Sequence, residues 1–192
     1  MQYLVLGLVL FLGVHSVRIF AETWRTGMRA RIGENRYKAV YSLISLLGFA
    51  LMVWGFGVAR DTPTQWWSPP VGMRHLASLL TLLAFVLIAA AYVPGNSIKA
   101  RLHHPMVLGV KTWALAHLLA NGMLHQTVLF ASLLVWAVLD FRAARARDVA
   151  EQTAYPPGNA VATGITLLVG GLGWAVFAFW LHGLLIGIRP LG

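Results

Sequence analysis

The stretch YLVLGLVLFLGVHSVRIF, residues 3–20, contains no Lys, Arg, Asp or Glu before Arg18. At about 1.5 Å per residue, an apolar run of this length matches, as a helix, the roughly 30 Å hydrocarbon core of a bilayer. A secretory signal would carry basic residues ahead of the run and a small-residue cleavage site after it. Here arginines follow instead (Arg18, Arg25, Arg29), so the run reads as a retained transmembrane helix.

The same pattern recurs to the end of the chain. Apolar stretches separated by turn-forming residues give six candidate spans, at about 2–20, 38–59, 73–93, 105–120, 124–140 and 160–188. VPGNS (93–97) closes the third, Asn121-Gly122 turns the fourth into the fifth, and YPPGN (155–159) precedes the sixth, Pro, Gly and Asn being the residues tight turns require. Trp66 and Trp67, beside Pro69-Pro70, read as interfacial anchors. The spacing of Gly183 and Gly187 permits close helix contact. The longest polar connection, about 141–159, is too short for a core of its own. The expected fold is an all-α integral membrane protein, a bundle of about six transmembrane helices forming one domain over residues 1–192.

Composition agrees. The chain is 58% hydrophobic and 11% charged, where a soluble domain carries about a quarter charged residues. Cysteine is absent. That excludes disulfides, thiolate metal ligands, iron–sulfur clusters and covalent haem attachment. Any metal or cofactor must be held by His, carboxylates or backbone.

The formal net charge of +9 concerns orientation rather than nucleic acid. Eleven of the 15 Lys and Arg fall in the odd-numbered loops: Arg18, Arg25, Arg29, Arg31, Arg36 and Lys38, then Lys99 and Arg101, then Arg142, Arg145 and Arg147. Arg60, Arg74 and Arg189 lie on the opposite side, and Lys111 lies within a span. The positive-inside rule then makes the odd loops cytoplasmic and both termini periplasmic, as in a bacterial inner-membrane protein. The partners expected on this reading are membrane lipids, anionic ones included.

Of the seven histidines, His75, His103 and His125 sit near span ends and read as interfacial polar residues. Ionisable groups inside a span usually face a bundle interior or cavity. His15 and His117 meet that description best, with His182 a third possibility. His15, Arg18, Glu22, Arg25 and Arg29 share one helical stripe, spaced 3, 4, 3 and 4. His117 shares a face with Trp113, Val110 and Met106. Each histidine alone is equally a hydrogen-bonding group between helices, worth about 1 kcal/mol in lipid. Two on different spans suit six-coordinate haem iron, which needs two facing imidazoles. Lys111 either snorkels to the basic surface or reaches an anionic cofactor group. His103-His104-Pro105 is no metal clamp by spacing, because adjacent residues on a helix point apart.

GVHSVR (13–18), RIGENRYKAVYSLISLLGF (31–49), AAYVPGNSIKARLHHPMVLGVKTWALAHLLANG (90–122) and WAVLDFRAARARD (136–148) closely resemble the NnrU family. This bacterial membrane family is associated with denitrification and nitric oxide metabolism, and the likeness extends to the HGLLIGIRPLG tail (182–192). Residues 13–140 resemble, more distantly, the 15-cis-zeta-carotene isomerase family of plants, whose members hold haem b. Its histidine-serine pair matches His15-Ser16, and its histidine-proline and Trp-x-Leu-Ala-His segments match His104-Pro105 and Trp113 to His117.

That second resemblance implies a non-covalent haem b whose iron is ligated by His15 and His117. Arg18 and Arg25 would then pair with the propionates, with Lys111 a lesser candidate and Trp113 packed near the macrocycle. His104 is the rival second ligand, because His15 and His104 both lie toward the cytoplasmic side. The isomerases carry a cysteine where this chain has Ala114, so a thiolate ligand switch is absent. The expected function is support of nitric oxide-related redox chemistry, alongside a redox partner or denitrification enzymes. The alternatives are haem-dependent isomerisation of a lipid polyene and a non-catalytic assembly role for such enzymes.

Overall fold

The computed structural model describes residues 1–191. It is helical, and its only β-type pairings among the described residues are two isolated bridges, Gln65 with Met123 and Asn96 with Asn159. The helices are α1 (Gln2–Phe20), α2 (Glu22–Ile32), α3 (Glu34–Arg60), α4 (Met73–Tyr92), α5 (Ser97–Leu102), α6 (Pro105–Ala120), α7 (Leu124–Ala150) and α8 (Ala160–Val176). A π-helical turn, Phe177–Leu181, carries α8 into α9 (His182–Ile186). Five segments are long and apolar enough to cross a membrane: α1, α3, α4, α7 and the run Ala160–Ile186. The shorter α6 is the sixth apolar helix. The chain is an all-α membrane protein of about six transmembrane helices.

Two elements fall outside the expected spans. The short helices α2 and α5 occupy basic connections expected to be loops. Helix α7 also runs past its expected limit near residue 140, because FRAARARDVA (141–150) is built from strong helix formers and carries the helix beyond the apolar region. Gly187, at φ 77°, ends α9 as a left-handed cap.

Contacts divide the chain into two compact units. The first comprises Met1–Ser68 and Asn121–Ala143. Here α1 packs along α3 over glycines: a Cβ on Gly48 would stand 2.6 Å from the Phe11 backbone nitrogen, and one on Gly7 would run into the Met52 backbone. In lipid, such close approach replaces the hydrophobic drive that joins helices in water. Leu4, Leu8 and Met52 form the enclosed centre, covered by Leu12, Phe56, Val128 and Leu129. The backbone N–H groups of Trp66 and Trp67 donate to the Gly122 carbonyl (2.7 and 3.1 Å), fastening the loop after α3 to the turn before α7.

The second unit comprises Pro69–Ala120 and the chain from Ala144 onward. Helix α4 packs against both α6 and α8 through small residues. Gly109 faces Ile88, and a Cβ on Gly170 would stand 2.6 Å from the Val86 Cα. Two Pro-Gly-Asn turns meet at one edge of this unit. Asn96 caps α5 and Asn159 caps α8, their side-chain oxygens accepting from Lys99 N–H (2.7 Å) and Ala162 N–H (2.8 Å). Asn159 N–H in turn donates to the Gly95 carbonyl at 2.9 Å.

Candidate functional site

His15 stands in the last turns of α1, half-buried in the first unit. Its Nδ1 donates to the Phe11 carbonyl one turn back at 2.6 Å. A carbonyl only accepts, so Nδ1 carries a proton, and in the neutral ring Nε2 is the nitrogen with the lone pair. The ring packs on Phe11 (centroids 4.3 Å apart), Tyr41 (5.4 Å) and Trp136, which meets it edge-on at 5.9 Å. A groove of about 450 Å³ opens beside it, lined by Leu12, Ser16, Ala131, Ser132, Val135, Trp136 and Leu139. The indole nitrogen of Trp136 is buried with no hydrogen-bond partner. Among the described residues it is one of two such atoms, the other being Glu22 Oε2.

Of the arginines expected near His15, Arg18 is exposed, and Arg25 forms an ion pair with Glu22 at 2.7 Å. Glu22 was not anticipated as a partner, although the three-residue spacing places the two on one face.

His117 repeats the His15 arrangement in the second unit. Its Nδ1 donates to the Trp113 carbonyl at 2.9 Å, with the Trp113 ring 4.7 Å away. Each histidine thus follows an aromatic residue by four positions, donates to that residue's carbonyl and packs on its ring. Each is held in the same tautomer, with Nε2 the nitrogen able to ligate. Lys111, two positions before Trp113, is half-buried on α6. Ala114, at the position of the isomerase cysteine, is fully enclosed.

His104 lies at the other end of α6, thirteen residues and about 20 Å along the axis from His117. Its surroundings are polar. Nε2 meets Asp148 Oδ2 at 2.8 Å. The same carboxylate accepts from the Tyr155 hydroxyl (3.1 and 3.2 Å) and from Arg145 (3.3 Å). His103 stacks on Tyr155, with centroids 3.9 Å apart and planes 15° off parallel, and its Nδ1 contacts the Arg145 guanidinium. Burial alone would raise the Asp148 carboxyl. The hydrogen bonds from His104 and Tyr155 and the electrostatic attraction of His104 and Arg145 outweigh it and hold the group below the usual carboxylate range. Burial pushes the Tyr155 phenol up, and its bond to the Asp148 carboxylate adds to the rise.

The backbone at this cluster is strained. His103 has φ 70° and ψ −62°, and the His104 N–H donates to the Leu102 carbonyl at 3.0 Å. That combination is a γ-turn of the rare form, which costs a non-glycine residue about 1–3 kcal/mol. Stacking on Tyr155 and the contact with Arg145 hold it.

The structure therefore sorts the expected residues by place. His15, Arg18 and Arg25 belong to the first unit; His104, Lys111, Trp113 and His117 belong to the second. His182 bonds the Ile188 carbonyl at 2.6 Å through Nδ1, and His125 is buried against Phe56. Among the described residues, no three His, Asp or Glu side chains are gathered to hold a metal ion. Tyr41, Trp136, Arg145, Asp148 and Tyr155 went unrecognised as site residues in the sequence. For His15 and His117 themselves, the aromatic residue four positions earlier (Phe11, Trp113) was the signal available.

Comparison with curated proteins gives no match, and comparison with solved structures gives none. The family model described as NnrU protein matches residues 3–190, nearly the whole chain. On that match, the chain belongs to the NnrU family.

Proposed function

We propose that this membrane protein binds one non-covalent haem b, with His15 and His117 as its axial ligands, and supports nitric oxide-related redox chemistry. The observation that carries the reading is the shared geometry of the two histidines. Each gives its Nδ1 proton to the carbonyl four residues back, at 2.6 Å for His15 and 2.9 Å for His117. A ligating histidine nearly always donates its other ring nitrogen in this way, which fixes the tautomer and raises the basicity of Nε2. With two imidazoles bound, a haem supplies a low-spin, one-electron redox centre.

The chain's own residues would contribute as follows. Phe11 and Trp113 fix the ring orientations. The guanidinium groups of Arg18 and Arg25 suit paired carboxylates such as propionates. Arg25 would exchange its bond to Glu22 for one to the cofactor. His104 is the weaker ligand candidate because Asp148 already engages its Nε2. Enclosed Ala114 offers no sulfur, which favours redox or gas-responsive chemistry over isomerisation by ligand exchange. The distribution of cations supports placement in a bacterial cytoplasmic membrane with both termini periplasmic.

The experiment is the absorption spectrum of the full-length protein purified after haem-sufficient expression, oxidised and reduced, with and without nitric oxide. A Soret band that changes on reduction supports the reading. A colourless protein overturns it.

A further inference from the structure

Helix α2, Glu22–Ile32, has eleven residues and none is buried. At about 16 Å it is too short to cross a bilayer, and four of its residues are charged. The chain bends into it at Ala21 (φ −139°, ψ 42°) and out of it at Gly33 (φ 87°, ψ 149°). Both of its neighbours, α1 and α3, are membrane spans. An amphipathic helix joining two spans at their basic ends belongs at the lipid–water boundary. Its exposed aromatics fit that level: Trp24 is 55% exposed, and Phe20, just before it, is 71% exposed.

The charges name the partner. Residues 18–38 carry six cations (Arg18, Arg25, Arg29, Arg31, Arg36, Lys38) and two carboxylates (Glu22, Glu34), a net +4. The carboxylates are already taken. Glu22 pairs with Arg25 at 2.7 Å, and Glu34 pairs with Arg29 at 3.2 Å and Lys38 at 2.7 Å. Among the described residues, Arg31 and Arg36, exposed on either side of the Gly33 turn, pair with no carboxylate.

We propose that the α2–α3 elbow is a binding site for an anionic phospholipid headgroup, with Arg31 and Arg36 contacting the phosphate and Trp24 seated among neighbouring lipids. The complementarity is between excess guanidinium charge and a phosphodiester at the same depth. The site is independent of haem.

The test uses the full-length protein in bilayers of mixed phosphatidylcholine and phosphatidylglycerol, with trace spin-labelled lipid of each kind. The expected result is a roughly fivefold preference for phosphatidylglycerol at low salt, falling below about twofold in R31Q/R36Q and weakening as salt rises. A control, R101Q/R142Q, removes two cations from other loops and is expected to keep most of the preference. Equal association of both lipids in the wild type overturns the proposal. So does a preference that R31Q/R36Q leaves intact, or one that the control abolishes equally. Loss of the preference in millimolar inorganic phosphate at constant ionic strength would assign the site to a soluble anion and overturn the lipid reading.

Discussion

His104 and Asp148, 44 positions apart in the chain, meet at 2.8 Å through Nε2 and Oδ2. That contact joins the start of α6 to the end of α7, and Tyr155 closes it from the following loop. The carboxylate side chain is only 12% exposed. Removing it strands donors in a partly enclosed site, which costs more than the bonds contribute. Asp148→Ala is expected to destabilise the protein by about 1–3 kcal/mol and Tyr155→Phe by about 1 kcal/mol, read as thermal unfolding in detergent. An Asp148→Ala protein that melts with the wild type would remove this cluster from the account.

The same cluster sets a pH dependence. The Asp148 carboxyl is held below its ordinary value in the folded state, so its contribution is present above that value and is lost as pH falls through the lowered one. The Tyr155 phenol is raised, so its contribution is complete below the ordinary tyrosine value and is lost as pH climbs beyond it. Hydrogen exchange of residues 97–105 and 151–159 should therefore be slowest, after correction for intrinsic rates, from mildly acidic to mildly alkaline pH. It should speed up at both extremes. Asp148→Asn should abolish the acid limb and leave protection near neutrality lower than in the wild type.

His103 sits at a φ of 70°, where a side chain is strained. Glycine relieves that strain but loses the stacking on Tyr155, whereas alanine loses the stacking and keeps the strain. His103→Gly is expected to be more stable than His103→Ala by about 1 kcal/mol. The reverse order would show that the turn relaxes without a side chain to hold it.

Helix packing in the first unit gives a sharper contrast. A Cβ on Gly48 would lie 2.6 Å from the Phe11 nitrogen, while one on Gly13 would meet nothing within 4 Å. Gly48→Ala is expected to cost about 1–3 kcal/mol. Gly13→Ala should be neutral or stabilise by up to about 1 kcal/mol, since alanine suits a helix better. Equal melting of the two variants would contradict the packing described for α1 and α3.

Membrane helices were legible because lipid imposes one strong rule: an uninterrupted apolar run becomes a span. The turns at Asn121-Gly122 and at the two Pro-Gly-Asn sites were legible because few residues tolerate those bends. What the sequence hid depends on pairing across long separations. Asp148 reads as one charge among the arginines of a polar tail, and only the fold brings it to His104. Tyr155 reads as loop residue until His103 stacks on it. Helix α2 was legible only in part: the stripe of Arg18, Glu22, Arg25 and Arg29 has helical spacing, but nothing in it marks the bend at Ala21 that makes α2 a separate helix. The two singled-out histidines had a local signature, the aromatic residue one turn earlier, that burial arguments alone do not use.

The most direct measurement is the reduced-minus-oxidised spectrum of three variants beside the wild type: His15→Ala, His117→Ala and His104→Ala. A haem held by His15 and His117 predicts a low-spin bis-imidazole spectrum in the wild type and in His104→Ala. It predicts loss of haem or conversion to a high-spin form in each of the other two. Unchanged spectra in His15→Ala or His117→Ala, or a His104→Ala protein that alone loses its low-spin bands, would contradict it.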